Sequence, residues 1–367
     1  MTELVPVLVA DRLVKLRARL DQDSLDAALI TTLTNVRYLT GFTGSFAALL
    51  VTSDEAFLLT DGRYREQAPL QTQAAGIECQ LALVTATASI ASLLQERLGD
   101  GWSVGFEAGN ITWEQHRGLA EVLPQKLLPT TNLVEDLRLV KDDGEVCRIE
   151  QACAIADEAL GEVVALMNES PSEQRFGLEL DTAMRRLGAA ERSFETIVAS
   201  GPNSALPHAR PSQRAIGSGD LVVVDFGALL DGYHSDMTRT FSIGRIAGER
   251  RELFDLVATA QAAGCEAVAP GVAASHIDEV CRTVIADAGY GDAFMHGTGH
   301  GVGLDIHEAP AVSRTSKSIL EPGYVITVEP GVYLPDVGGV RIEDTVVVTG
   351  DGYRALTNYS KSPKPVQ

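Results

Sequence analysis

At 367 residues the chain is long for one hydrophobic core and comfortable for two domains, and its 45% hydrophobic content suffices to bury both. Thirty basic against fifty acidic side chains leave a net charge of −20, which excludes nucleic acid and anionic membrane surfaces as partners and reads as solubility. No segment approaches the roughly 20 apolar residues of a membrane span, and the start MTELVPVLVADRLVKLRARL shows neither a basic leader nor a cleavage pattern, so a cytoplasmic protein is expected.

In chain order, the first part alternates helical and strand signals. A helix is predicted near 9–21, strands at DAALIT, FAALLVT and EAFLLT, helices from Arg63 and near 88–98, the strand SVGFEA, and a helix beginning at Thr112. This is an α/β domain, predicted to span 1–135. The charged turn KDDGE marks the change: Asp142 with Glu145 forms a capping-box pattern, and Val146, Ile149, Cys153, Ala156, Leu160, Val163 and Met167 recur at helical spacing. A second domain, 136–367, continues with a helix near 176–191, the strand ETIVAS, and two helices within 248–287. Long helices on a strongly curved antiparallel sheet make it α+β. Cys79, Cys147, Cys153, Cys265 and Cys281 are odd in number and contain no CxxC pair, so they read as reduced apolar residues.

The segment 221-LVVVDFGALLDGYHSDMTRTF-241 reads as a β-hairpin turning at Asp231-Gly232. That register sets Asp225 opposite position 238 and brings Asp236 diagonally onto the same face. Farther on, 324-YVITVEP-330 and 339-GVRIEDTVVV-348 are strands separated by a Pro- and Gly-rich loop; alternation buries Val328, Val340 and Ile342 and puts Glu329, Arg341 and Glu343 on the other face. One carboxylate in a hairpin is usually a solvated edge residue. Four of them clustered repel unless cations join them, and two divalent ions balance their charge. With one imidazole, His300, the donor set is harder than a zinc finger, so Mn²⁺ suits it at least as well as Co²⁺ or Zn²⁺. Two such ions can acidify a shared water and polarise a carbonyl, which implies hydrolysis. An Asp-Asp hairpin in one half and a Glu-Glu strand pair in the other suggest a pseudo-symmetric duplicated core.

The segment 296-HGTGHGVGLDIHE-308 contains four glycines, read as allowing close backbone approach to a metal or substrate; without G-x-G-x-x-G spacing or a βαβ frame it is no nucleotide loop. Together with 200-SGPNSALPHARPS-212, the Asp-x10-Asp hairpin, TVEPG and GVRIED, it closely resembles the pita-bread metallopeptidases of the aminopeptidase P and prolidase family. The segments 35-NVRYLTGFTGSFAALLVT-52 and 61-DGRYREQA-68 extend the resemblance to an amino-terminal creatinase-like domain, so it covers nearly the whole chain. The resemblance implies that Asp236 and Glu343 bridge two metal ions, Asp225 completes the first, and His300 with Glu329 completes the second. Glu329 would also shuttle a proton, while His208 and His307 would hold the peptide and stabilise the tetrahedral intermediate. His296 and Arg341 match supporting positions, or else simply satisfy buried acids. A homodimer acting on peptides with proline at the second position is implied. In the sequence EAPAVS, Ala311 stands where several prolidases carry an arginine that grips a dipeptide carboxylate, which favours Xaa-Pro aminopeptidase over Xaa-Pro dipeptidase. A non-catalytic binding protein on the same fold is the remaining alternative, against which five intact ligand positions speak.

Overall fold

The computed structural model describes residues 4–362. Among the described residues, contacts divide the chain into two compact units, Pro6–Arg138 and Leu139–Ser362 with Leu4 and Val5.

The first unit contains α1 (Arg12–Gln22), β1 (Ala27–Ile30), α2 (Leu33–Thr40), β2 (Ala48–Thr52), β3 (Ala56–Asp61), α3 (Gln67–Ala74), β4 (Gln80–Val84), α4 (Ile90–Gln95), β5 (Ser103–Glu107), α5 (Trp113–Val122), β6 (Lys126–Thr130) and α6 (Glu135–Arg138). Its six-stranded sheet has the order β4-β3-β2-β1-β5-β6, with β1–β2 and β2–β3 antiparallel and the other pairs parallel. The central strands β1 and β2 are buried throughout, in keeping with their unbroken apolar runs. Four elements of this unit escape the sequence pattern. Strands β4 and β6 are the two edges and are half-exposed, so their hydrophobic signal is weak, and Pro129 interrupts β6. Helix α2 is short and closes on Gly41 in the left-handed conformation. Helix α6 stays with this unit because Asn35 donates to Glu135 at 2.7 Å and accepts from Arg138 at 2.8 Å.

The second unit begins with α7 (Asp143–Val163), whose capping box forms as the Asp142–Glu145 spacing predicts. Its buried face includes Ile149, Cys153, Ala156, Leu160 and Val163; Val146 remains partly exposed. Helix α8 (Glu173–Arg186) starts earlier and ends earlier than predicted, because Ser172 caps it and Gly188, at φ 113°, turns the chain into β7 (Glu191–Arg192). Strands β8 (Ile197–Ser200), β9 (Leu221–Phe226), β10 (Ala228–Leu230), β11 (Tyr233–His234) and β12 (Met237–Ser242) follow, then α9 (Glu249–Glu266) and α10 (Ala274–Asp287). The last strands are β13 (Gly299–Gly301), β14 (Glu308–Val312), β15 (Val325–Val328), β16 (Gly331–Leu334), β17 (Gly338–Arg341), β18 (Asp344–Val348) and β19 (Tyr353–Ala355).

Two halves share one plan. In the first, α7 and α8 cover β8, β9 and β12, with Phe176, Leu180, Val222, Val224 and Met237 in the core. In the second, α9 and α10 cover β15 to β18, with Val257, Ile277, Ile326, Val328 and Val346 buried. Each such side chain contributes roughly 1.5–3 kcal/mol on burial, so each half has a core of its own and its strand register is firmly set. Val328, Val340 and Ile342 are buried as the alternation predicts. The stretch predicted as a Pro- and Gly-rich loop contains strand β16, which pairs antiparallel with β17 at the start of the predicted 339–348 strand, Gly331 opposite Arg341 and Leu334 opposite Gly338. All five cysteines are unbridged. Among the described residues, no helix is long and apolar enough to cross a membrane.

Candidate metal centre

The Asp231-Gly232 turn has positive φ at both residues, 44° and 74°, the conformation a two-residue hairpin loop requires. It fixes Leu230 opposite Tyr233 and, along the same register, Asp225 opposite Thr238. Asp236 therefore shares a sheet face with Asp225. The second acid pair arises differently. The ladder joining Val328 to Asp344 and Gly331 to Arg341 sets Glu329 across from Glu343, but the amides at those two positions turn elsewhere. Glu329 N donates to Thr298 O at 2.7 Å, and Glu343 N donates to Thr238 O at 3.1 Å. The sheet is thus opened at the acids, which hang between neighbouring strands. Thr345 Oγ1 donates to Asp236 O at 2.7 Å and draws the two halves together behind them.

Strand β13 delivers His300. Gly299 and Gly301 in β13 lie so close to Thr327 O and Ala309 O that a Cβ would stand about 2 Å from each oxygen. These glycines serve close strand packing, whereas the sequence reading assigned them to metal or substrate approach. His300 Nδ1 donates to Gly301 O at 3.0 Å, which turns Nε2 toward Asp236 Oδ2 at 3.4 Å and Glu329 Oε1 at 3.5 Å. Its ring meets that of His307 edge-on at 4.4 Å.

All nine residues singled out in the sequence, Asp225, Asp236, His300, Glu329, Glu343, His208, His296, His307 and Arg341, line one cleft of about 480 Å³. Asp236, His300 and Glu343 converge most tightly, offering ligand atoms within 4.8 Å of one another. Asp225 instead pairs with Arg341 Nη2 at 2.6 Å. Ala311 sits on the exposed face of β14 and is not among the cleft residues. Of the other histidines, His234 bonds Ser193 Oγ at 2.8 Å, His276 lies near Glu279 on the surface, and His116 stacks on Trp113.

Sequence reasoning missed the polar groups behind these residues. Tyr333 OH lies 2.9 Å from His296 Nε2 and accepts from Arg341 Nη1 at 2.8 Å, joining two elements of the wall. Thr238 Oγ1 donates to Glu343 Oε2 at 2.7 Å and accepts from Arg341 Nε at 3.1 Å. Thr238 was recoverable, since it faces Asp225 in the predicted hairpin. Tyr333 was hidden because its segment was read as loop.

The electrostatics fit a cation. Burial and the neighbouring acids push Glu343 well above the ordinary carboxyl range, Asp236 up to about 6 and Glu329 up to about 7. For His300 burial acts downward, but the Asp236 and Glu329 carboxylates prevail and raise it to about 9. Burial lowers His296 to about 4, so it is neutral at pH 7. Asp225 Oδ1 and Glu343 Oε1 are buried without a hydrogen-bond partner. Buried carboxylate oxygens lacking donors are costly, and divalent cations would satisfy both. Asp225, Asp236, His300, Glu329 and Glu343 are the side chains able to hold them.

Comparison with known proteins agrees with this geometry. Metallopeptidase family M24 matches residues 147–350, and the Creatinase/Prolidase N-terminal domain matches residues 12–140. The chain is 43% identical over 356 residues to the uncharacterized peptidase YqhT of Bacillus subtilis, covering 96% of this chain and 98% of that one. An Xaa-Pro dipeptidase from Bacillus anthracis superimposes with a TM-score of 0.91 at 37% identity, covering 96% of this chain and 98% of the other. An X-Pro aminopeptidase from Thermotoga maritima gives 0.86 at 34% identity, covering 94% and 99%. The α/β amino-terminal unit is therefore of the creatinase type and the second unit has the pita-bread architecture, and the chain belongs to metallopeptidase family M24.

Proposed function

We propose that the protein is a dinuclear-metal peptidase that hydrolyses the Xaa-Pro bond at the free amino terminus of peptides. The convergence of four carboxylates, His300 and three further histidines on one cleft carries this reading. Asp225, Asp236, His300, Glu329 and Glu343 would hold two divalent ions, with Mn²⁺ the best match to an oxygen-rich set and Co²⁺ or Zn²⁺ the alternatives. When bound, the ions neutralise the acids, polarise the scissile carbonyl and acidify the attacking water.

The chain's own residues do the rest. Glu329, whose affinity for a proton is raised by burial, takes the proton of the attacking water and passes it to the proline nitrogen, which needs one to leave. His307 and His208, on the open side of the cleft, orient the peptide and donate to the oxyanion of the tetrahedral intermediate; burial keeps His307 below the ordinary histidine range and hence neutral. Tyr333 fixes the neutral His296 ring, and Arg341 holds Asp225 in place. Proline lacks an amide hydrogen and its ring fixes the backbone, so a site built on ions and histidines can accept a bond that peptidases gripping that N–H cannot.

Ala311 brings no cation to the cleft, which favours Xaa-Pro aminopeptidase. The second reading, Xaa-Pro dipeptidase, is favoured by the name of the Bacillus anthracis relative. The test compares an Xaa-Pro dipeptide with an Xaa-Pro-Yaa tripeptide at equal Mn²⁺. Preference for the tripeptide supports the aminopeptidase; strong preference for the dipeptide overturns it. The unbridged cysteines suit a reducing compartment such as the cytoplasm, and a homodimer is proposed on family grounds alone.

A further inference from the structure

Helix α10 contains an ion pair one turn apart, Asp278 and Arg282, set on the side of the helix toward the histidine segment. Asp278 is fully buried, and Arg282 grips it in a fork, with Nε to Oδ2 at 2.9 Å and Nη2 to Oδ1 at 2.8 Å. An i,i+4 pair stabilises a helix by only a few tenths of a kcal/mol, and a buried pair is often no better than well-packed apolar residues of similar volume. Helix stability therefore gives no account of it. Its contacts outside the helix do.

Arg282 Nη1 donates to Phe294 O at 2.9 Å and Nη2 donates to His296 O at 2.8 Å, while the guanidinium lies 4.1 Å over the Phe294 ring. Asp278 Oδ1 accepts from both Thr298 N at 3.1 Å and Thr298 Oγ1 at 3.0 Å. These four bonds reach either side of Gly297, a residue with no side chain of its own to hold. The opposite side of the segment is tied to the strands, since Thr298 O accepts from Glu329 N at 2.7 Å and His300 N donates to Thr327 Oγ1 at 3.1 Å. His296 and His300 are thus set by a backbone stretched between α10 and β15.

We propose that Asp278 and Arg282 are positioning residues that fix the backbone carrying His296 and His300, and through Thr298 the amide of Glu329, in the geometry catalysis needs. This rests on the functional reading of those three residues. A displacement of about 1 Å in catalytic groups can cost on the order of 100-fold in rate, and loss of a group supporting a metal ligand typically costs 10–100-fold in affinity or activity.

The test uses full-length Arg282→Ala and Arg282→Lys. For Arg282→Ala, kcat on an Xaa-Pro peptide should fall roughly 10–100-fold with KM little changed, and Mn²⁺ binding to the chelated protein, measured by calorimetry, should weaken roughly tenfold. Guanidinium at low millimolar concentration should restore part of kcat, entering through the open cleft of about 460 Å³ bounded by Ser275, Thr283 and Arg314. Arg282→Lys keeps a charge beside Asp278 but cannot span two carbonyls, so it should fold with a near-native Tm, lose part of kcat and bind Mn²⁺ more weakly. If the alanine variant does not fold, the lysine variant decides. Unchanged kcat and Mn²⁺ affinity in a folded variant would overturn the proposal, as would a loss that follows Tm without guanidinium rescue. If the wild type cleaves no Xaa-Pro peptide, the functional reading fails, and the Mn²⁺ comparison still decides the role of the pair.

Discussion

Replacing Glu329 by glutamine in metal-free protein should make the fold more stable at pH 8 and leave it little changed at pH 5. The Glu329 side chain is 18% exposed and faces Glu343 across the opened ladder, and burial with its acidic neighbours raises it from 4.5 to about 7. At about 1.4 kcal/mol per pH unit, that shift is a penalty on the order of 3 kcal/mol for ionising the residue in the folded chain. Because the folded state holds this proton more tightly than the unfolded one, the penalty is absent below about pH 4.5 and complete above about 7. Glutamine keeps the shape and removes the charge. His300, protonated up to about pH 9 through Asp236 and Glu329, loses part of its support in the variant, so 3 kcal/mol is the upper bound. At roughly 2–4 °C per kcal/mol for a unit of this size, chelated Glu329→Gln should melt up to roughly 6–12 °C above chelated wild type at pH 8, with the gap closing toward pH 5. Mn²⁺ at about 1,000 times Kd should reverse the order, since it adds about 4.1 kcal/mol to a wild type that binds it fully, more than the bound of roughly 3 kcal/mol on the variant's advantage. Calorimetric melts of both proteins from pH 5 to 8.5, chelated and loaded, give the comparison. A variant no more stable than wild type at pH 8, or an increment independent of pH, would refute the electrostatic argument.

Other outcomes follow from the same site and its surroundings. Asp225→Asn should abolish peptide hydrolysis while the apoprotein keeps its far-UV circular dichroism, because Arg341 loses one charged partner but retains Thr238, Pro207 O and Tyr333. Tyr333→Phe should cost about 1 kcal/mol of stability in urea melts for the lost bonds to His296 and Arg341 and lower kcat more than it raises KM. Glu173 is buried, and although burial alone would raise its carboxyl, bonds from Ser212 and Ser200 hold it below the ordinary range. Glu173→Gln should therefore cost about 2–3 kcal/mol at neutral pH, and the difference from wild type should shrink as pH falls below 4.5, the sign expected for a depressed acid.

Local signals carried much of this structure. The Asp142–Glu145 capping box, the Asp231-Gly232 turn and the pairing of Asp225 with Thr238 are short-range consequences of residue type, and each is where the sequence places it. Edge strands β4 and β6 escaped because half their side chains meet water and the apolar pattern fades. Strand β16 escaped because Pro335 and the glycines at 331, 338 and 339 look like loop, although Gly338 and Gly339 pair with Leu334 and Tyr333. The candidate ligands were visible as residue types in suggestive contexts, but the groups behind them were not. Asp278 and Arg282 look like any i,i+4 surface pair until the fold buries the acid against Thr298. Long-range supports of this kind have no local periodicity to betray them.

The two-residue turn at Asp231-Gly232 also restricts how this chain can change in length. Inserting one residue into either arm between Asp225 and Asp236 would rotate one acid to the opposite face and separate the pair. Inserting one residue in each arm would lengthen the hairpin beyond the site and preserve the pairing of Asp225 with Thr238. Length variation among functional relatives should therefore come in matched pairs here, making the parity of this interval a stricter signature of an intact site than the identity of the residues that fill it.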